Sequence, residues 1–222
     1  MRLKIAAGIA VWIFLVTVSY ADTPAINNKE DARSVLSGIE KRYSAIGFSA
    51  RFQQFSTLKA MEIVDTASGS IVVKRPGMMK WAYESPEKQV IVSDGRRLWV
   101  YRPEDNQVMV GSAPSFFGNG KGAGFLSDLT DLEKRFEISR QPDTPAGDYS
   151  LALKPREKTQ DISQIRLVVS KETFDITRII TVNGYGDETR IQLSDIRFPE
   201  KIDDSTFVFT IPAGADVIKI DE

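Results

Sequence analysis

The stretch VVKRPGMMKWAYESPEKQVIVSDGRRLWVY, residues 72–101, decides the fold, because short apolar runs alternate in it with turn residues. An Arg-Pro-Gly turn at 75–77 is followed by Met79, Trp81 and Tyr83 at alternate positions. Successive side chains of a strand point to opposite faces, so these three should share one face. The stretch therefore predicts neighbouring strands that carry a row of large apolar side chains beside an arginine.

This period-two pattern continues along most of the chain. Asp94-Gly95 and Asn183-Gly184 are strong hairpin signals, and such short connections join antiparallel neighbours. No repeated strand-helix-strand unit is present, so the pattern predicts one large antiparallel sheet that is strongly curved or closes toward a barrel. The predicted strands are 48–57, 61–74, 78–84, 88–93, 97–102, 106–111, 134–140, 148–154, 162–170, 174–182, 188–198 and 206–211.

Two segments have a helical pattern instead. Apolar residues recur at three- and four-residue spacing over 29–46, which predicts a helix with Asn28 as its N-cap and Gly47 as its stop. The glycine-rich segment 113–133 ends in a short apolar helix, with Phe125, Leu126, Leu129 and Leu132 on one face. The second segment fits either a movable cover over the sheet or a surface loop with a packed helix.

The N-terminus has the pattern of a secretory signal peptide. Arg2 and Lys4 precede an apolar run over 5–18, and small residues before Asp22 provide a cleavage site. The run is short for a membrane span, although an uncleaved anchor is the alternative interpretation. We expect 1–21 to be removed and 22–222 to form a single domain without disulfides, since the chain has no cysteine.

The composition excludes several kinds of chemistry. The chain has no histidine and no cysteine, which rules out Ser-His and Cys-His nucleophiles and zinc sites built from these residues. The glycines of 118–124 fit no phosphate-binding loop, and no cofactor or metal is expected. The 29 basic and 30 acidic residues are interspersed, which argues against nucleic-acid binding. A carboxylate enzyme remains an alternative, with these candidates, most of them at predicted turns or strand ends: Asp65, Asp94, Asp128, Asp131, Asp187 and Asp195.

Several motifs together resemble the family of LolA-like outer-membrane lipoprotein carrier proteins, over nearly the whole chain after the signal peptide. They are FSARFQQFS after the first helix, SGSIVVKRPGMMKWAYESP, QVIVSDGRRLWVYRPEDNQV and the terminal FVFTIPAGADVI. The resemblance implies a mainly β fold with a few helices (α+β). In this fold an incomplete, strongly curved antiparallel barrel has its apolar concave face covered by a helical lid, here about 113–133.

The resemblance also implies a function and a set of residues. Members of the family are periplasmic carriers that take acylated lipoproteins from an inner-membrane ABC transporter and deliver them to the outer-membrane acceptor LolB. By resemblance, Arg75 corresponds to the arginine that holds the lid shut, and we expect a monomer. The residues predicted to line the acyl-chain cavity are Phe52, Met79, Trp81, Tyr83, Val90, Trp99, Tyr101, Phe125 and Leu129.

Three other classes of function remain open: a binding module in another role, an enzyme and a structural protein. A protein of the same fold could be a lipid or glycolipid chaperone or an envelope sensor, and an exported carboxylate hydrolase or a purely structural barrel are further alternatives. The large apolar residues of 90–101 occur on both faces of their strands, so the sequence does not distinguish a filled core from a cavity. Met78 and Met79 favour an adaptable lining.

Overall fold

The computed structural model describes residues 28–113, 126, 129, 132–157 and 160–220. Within them the strands form one sheet of twelve, in the order β12-β6-β5-β4-β3-β2-β1-β11-β10-β9-β8-β7. The strands are β1 Gly47–Leu58, β2 Ile63–Lys74, β3 Met78–Ser85, β4 Gln89–Asp94, β5 Arg97–Arg102, β6 Gln107–Ser112, β7 Phe136–Gln141, β8 Tyr149–Pro155, β9 Gln164–Val169, β10 Ile176–Val182, β11 Glu188–Arg197 and β12 Asp216–Lys219. Where the structure describes the chain, two α-helices have defined bounds, α1 Asn28–Arg42 and α2 Leu132–Arg135.

The sheet is curved and open, which confirms the predicted incomplete barrel. Its order places β12 at one edge and β7 at the other. All the pairings are antiparallel except that of β12 with β6, and β12 is a strand that the sequence pattern did not predict. The Asp94-Gly95 hairpin is confirmed, since the Asp94 carboxylate accepts hydrogen bonds from the backbone N–H groups of Arg96 and Arg97. In the described part of the chain, no helix has both the length and the apolar character that spanning a membrane would need.

Helix α1 ends four residues earlier than predicted. The hydroxyl and backbone N–H of Ser44 both bond to the carbonyl of Lys41, which closes the last turn. Gly47 does not stop the helix but begins β1, where a Cβ would lie 2.0 Å from the carbonyl oxygen of Val73. The glycine is therefore needed for close approach of two strands.

Tyr43 fixes the end of α1 against the sheet. Its ring packs edge-to-face on Phe48 and Phe198, with centroids 5.2 Å away in both cases. The buried hydroxyl accepts a hydrogen bond from the backbone N–H of Ile176 at 3.0 Å, and burial raises the pKa of Tyr43. This contact joins the helix to β10, 133 residues away in sequence.

Tyr43→Phe should lower the free energy of unfolding by about 1–3 kcal/mol, because a buried N–H would lose its acceptor. Urea unfolding followed by circular dichroism measures the change. Tyr185→Phe is the matched control, since Tyr185 is 75% exposed. Equal midpoints for Tyr43→Phe and the unmodified protein would contradict the prediction.

The prediction of a strand at 206–211 is wrong. Residues Asp204–Phe207 form a short 3₁₀ helix, capped by the Asp203 carboxylate, and the chain that follows is irregular. Phe207 and Phe209 alternate with the exposed Val208, as in a strand, but they pack against the side of β3, β4 and β5 that faces away from α1. The ammonium of Lys74 anchors the segment by donating to the carbonyl of Ile202 at 2.8 Å.

Candidate functional site

We call the side of the sheet that carries Phe52, Met79 and Trp81 the inner face, and the opposite side the outer face. The inner face is the centre of the main core, and α1 packs its apolar stripe against it. Three leucines of the segment before β7 join the same core and are at most 1% exposed. We call Leu126, Leu129 and Leu132 the leucine cover.

Strand register explains why the predicted row lies together. Val73 pairs with Met79, Ile71 with Trp81, and Gly69 with Tyr83, so the three residues of β3 stand on the inner face beside small or aliphatic neighbours. On the other side of β2, Phe52 is also paired with Gly69. Because glycine has no side chain, Phe52 and the residues of β3 meet above it.

The three aromatic rings form a continuous patch. Phe52 meets Trp81 at 4.8 Å and Tyr83 at 5.0 Å between centroids, both edge-to-face, while Trp81 and Tyr83 are stacked at 6.3 Å. Contacts of this kind add about 0.5–1.5 kcal/mol each beyond the burial of apolar area. The patch is therefore a stable, mostly aromatic surface at the middle of the inner face.

Few polar atoms interrupt this surface, and their partners are local. The indole Nε1 of Trp81 donates to the sulphur of Met79, a weak acceptor. The hydroxyl of Tyr83 donates to the amide oxygen of Gln54 at 3.2 Å, at the margin of the patch. Burial raises the pKa of Tyr83 to about 12, so this hydroxyl stays neutral at physiological pH.

Three predicted cavity residues do not belong to this surface. Val92 pairs with Lys80 and Val90 with Ala82, which places Val90 on the outer face. Trp99 and Tyr101 pair with Val92 and Val90, so they lie on that face too. Phe209 of the C-terminal segment covers both rings, at 6.2 Å and 5.8 Å. The register therefore corrects the prediction that Val90, Trp99 and Tyr101 share one lining with Met79 and Trp81.

The remaining predicted residues lie as follows. Arg75 is half-buried at the turn between β2 and β3, and its backbone N–H donates to the carbonyl of Ile46 at 2.9 Å. Leu129 packs in the core with the aromatic patch. Phe125 and most of the predicted lid lie outside the described residues.

A cavity of about 470 Å³ lies beside the inner face, between α1 and β7, and was not predicted from the sequence. Its apolar residues are Ala32, Leu36, Phe136 and Ile138, and its charged ones are Arg33, Glu133, Glu137 and Arg156. The Arg33 Nε donates to the Glu133 carboxylate at 3.0 Å, and thereby links α1 to α2. These partners are 100 residues apart, so no local sequence signal could have paired them.

Comparisons with known proteins agree with this geometry. The model of the family described as outer membrane lipoprotein carrier protein LolA matches residues 44–210. A protein of Azotobacter vinelandii named outer-membrane lipoprotein carrier protein is 28% identical, over 93% of this chain and 97% of its own. A protein of the same name from Alkalilimnicola ehrlichii is 30% identical, over 99% of this chain and 97% of its own.

Among solved structures, a conserved protein of Thermus thermophilus has a similar fold. Its TM-score is 0.57 at 13% identity, over 86% of this chain and 99% of that protein, which is evidence for the fold alone. The family match covers most of the chain and includes β1 to β11 and the whole aromatic patch. The chain therefore belongs to the LolA family of outer-membrane lipoprotein carrier proteins.

Proposed function

We propose that this protein is a periplasmic chaperone that shields the acyl chains of lipoproteins. It takes them from an inner-membrane ABC transporter and delivers them to an outer-membrane acceptor of the LolB type. In this proposal residues 1–21 direct export and residues 22–222 form the carrier domain. The function is that of a binding protein, and no residue is assigned a catalytic role.

The aromatic patch on the inner face is the observation that carries this proposal. Exposing acyl chains to water costs about 0.8 kcal/mol per CH₂ group, so a carrier needs a large apolar surface. Phe52, Met79, Trp81 and Tyr83 offer such a surface, and the amide partner of the Tyr83 hydroxyl lies at its margin. Met79 and the aromatic rings can contact acyl chains of different length, because apolar contacts do not require a fixed orientation as hydrogen bonds do.

In the structure this surface is covered, since Trp81 is only 5% exposed and Met79 1%. We infer that acyl chains enter by displacing the leucine cover, whose contacts are apolar and therefore replaceable by the chains themselves. The Arg33–Glu133 pair links α1 to the end of the cover, but both side chains are exposed and such pairs contribute only about 0–1 kcal/mol. The Arg33–Glu133 pair therefore does little to oppose opening at this side.

Arg75 is proposed as the latch of the empty carrier. It directly follows the last residue of β2, two positions after Val73, which pairs with Met79 on the inner face. We propose that its guanidinium donates hydrogen bonds to backbone carbonyls of the 113–133 segment. A latch of this kind would favour the closed state whenever no acyl chain occupies the site.

Binding should depend on acyl chains and not on the polypeptide of the cargo. In a pull-down with immobilised carrier, we expect at least tenfold more of an acylated lipoprotein than of the same protein after enzymatic removal of its acyl chains. Burial of only two CH₂ groups would suffice for that ratio.

Met79→Glu should abolish this difference, because it places a charge in the middle of the inner face. Val208→Glu is the matched control, since Val208 is 70% exposed on the outer face. Equal recovery of acylated and deacylated cargo would refute the proposal. Co-purification of free phospholipid or glycolipid, without lipoprotein, would favour a lipid chaperone instead.

A further inference from the structure

An exposed apolar tip lies at one end of the sheet, far from Arg75. We define the apolar tip as Leu58, Met61, Ile63 and Val64 of the β1–β2 hairpin and Tyr185 of the β10–β11 loop. Their exposed fractions are 36%, 64%, 44%, 56% and 75%, respectively. Apolar side chains that are clustered and exposed are a feature of interaction sites in folded proteins.

On the side of β2, the tip projects beyond β3. Pairing between β2 and β3 ends at Ser68 with Ser85, so residues 63–67 have no strand partner on that side among the described residues. The tip is nevertheless held in place, because the backbone N–H of Lys59 donates to the Asp187 carboxylate at 3.0 Å. This bond joins the β1–β2 hairpin to the β10–β11 loop.

The apolar side chains surround the tip and do not form one flat patch. Leu58 and Ile63 pair with each other, and alternation along their strands places both side chains on the inner face. The side chain of Val64 points to the outer face. Met61 lies in the connection between the two strands. A protein partner covers one face of a hairpin, while a lipid environment surrounds it, so this distribution favours lipid.

Three arginines stand behind the tip on the outer face. Ile180 pairs with Arg166 on one side and with Arg190 on the other, and Arg178 is two residues from it on the same strand. The Nε atoms of Arg178 and Arg190 are buried without a hydrogen-bond partner, and Arg190 lies over the ring of Phe55. No ion pair to these three arginines is found among the described residues.

We propose that this end of the protein docks on the surface of a lipid bilayer that contains anionic phospholipids. The apolar tip enters the boundary between headgroups and acyl chains, and the arginines bind the lipid phosphates. Charge complementarity supports the choice of anionic lipid, since planar guanidinium groups match phosphate oxygens in geometry. Docking is independent of the proposed cargo and needs no acyl chain in the carrier.

The distances along the strands fit this arrangement. Arg166 and Arg190 lie two residues from the strand ends nearest the tip, which corresponds to about 7 Å. Interfacial segments enter the boundary region by roughly 5–10 Å, so these arginines would reach the phosphates when the tip is immersed. The exposed acids Glu62 and Asp65 lie in the same hairpin and would limit docking to this shallow depth.

The test is co-sedimentation of the exported, processed protein, free of cargo, with vesicles of phosphatidylethanolamine and phosphatidylglycerol. We expect binding that weakens with added salt and is much lower on phosphatidylcholine vesicles. Met61→Asp with Val64→Asp should reduce binding by about tenfold or more. Arg166→Gln with Arg190→Gln should reduce it by roughly 25-fold, from about fivefold for each charge.

Matched controls separate docking from general effects. Val208→Asp changes an exposed apolar residue elsewhere on the outer face, and Arg197→Gln removes an exposed arginine at the other end of β11. Both should bind vesicles like the unmodified protein.

The proposal is overturned if the unmodified protein does not sediment with the vesicles or if these controls lose as much binding as the tip variants. It is also overturned if the tip mediates dimerisation, seen as a concentration-dependent dimer in sedimentation velocity that Val64→Asp abolishes. Normal transfer of acylated cargo without vesicle binding would reject the docking site and leave the proposed function standing.

Discussion

Replacing Gly69 with valine is expected to prevent the chain from folding. A Cβ at this position would lie 2.0 Å from the carbonyl oxygen of Ala82 and 3.0 Å from the ring of Phe52. The oxygen belongs to the backbone of β3, next to the register shift between Ser68 and Gly69, so it cannot move without breaking strand pairing. The substitution would also push apart the aromatic patch that the glycine allows to assemble.

The expected result is loss of the cooperative unfolding transition, measured by urea titration with circular dichroism. Gly69→Ala should already be severely destabilised, because the same Cβ atom meets the carbonyl. Gly147→Ala is the matched control, since a Cβ at this position would have no atom within 4 Å. The substitution should therefore destabilise the fold only through backbone strain at its positive φ. A native-like transition for Gly69→Val would show that β2 and β3 can separate at this point, contrary to our expectation.

Arg75→Leu is expected to load acylated lipoprotein normally but to deliver it poorly. Under the proposed latch, the arginine stabilises the closed, empty state by about 1.5–3 kcal/mol, which is typical of hydrogen bonds to a charged group. Its loss would shift the closed-to-open ratio by roughly ten- to a hundredfold. Closure of the emptied carrier would then contribute less free energy to the release of cargo.

The measurement is transfer of acylated lipoprotein from the loaded carrier to LolB, with loading scored separately. Arg75→Lys should give an intermediate result, because it keeps the charge but lacks the planar donor group. Arg97→Leu is the control, since Arg97 is an exposed residue of β5. Delivery by Arg75→Leu at the rate of the unmodified protein would remove Arg75 from the proposed mechanism.

Local pattern was sufficient for most strands and for the row on β3. Met79, Trp81 and Tyr83 share a face because alternation within a strand is fixed by backbone geometry. The turn at Asp94-Gly95 was predictable for a similar reason, as the Asp94 side chain bonds to the backbone a few residues ahead. Such features depend on residues close in sequence.

The face of each strand relative to its neighbours was not predictable. The length of the connection at 86–88 decides which side chains of β4 share a face with Met79 and Trp81 of β3. One residue more or less in it would exchange the faces of Ile91 and Val90. The same limit applies to Phe207 and Phe209, whose alternation fits a strand in the sheet as well as a segment packed across it. Contacts such as Arg33 with Glu133 depend on the assembled fold, and no pattern of neighbouring residues encodes them.

The position of β1 in the sheet has a consequence for the order in which the chain can fold. β1 pairs with β2, which follows it directly, and also with β11, where Phe52 meets Leu193. Under the proposed export the chain would cross the inner membrane progressively, so one edge of β1 would wait until about 140 later residues have emerged. Pairing between residues far apart in sequence is slow, and a strand edge that is still unpaired can associate with other chains. The chain is therefore most vulnerable to aggregation before β11 pairs with β1.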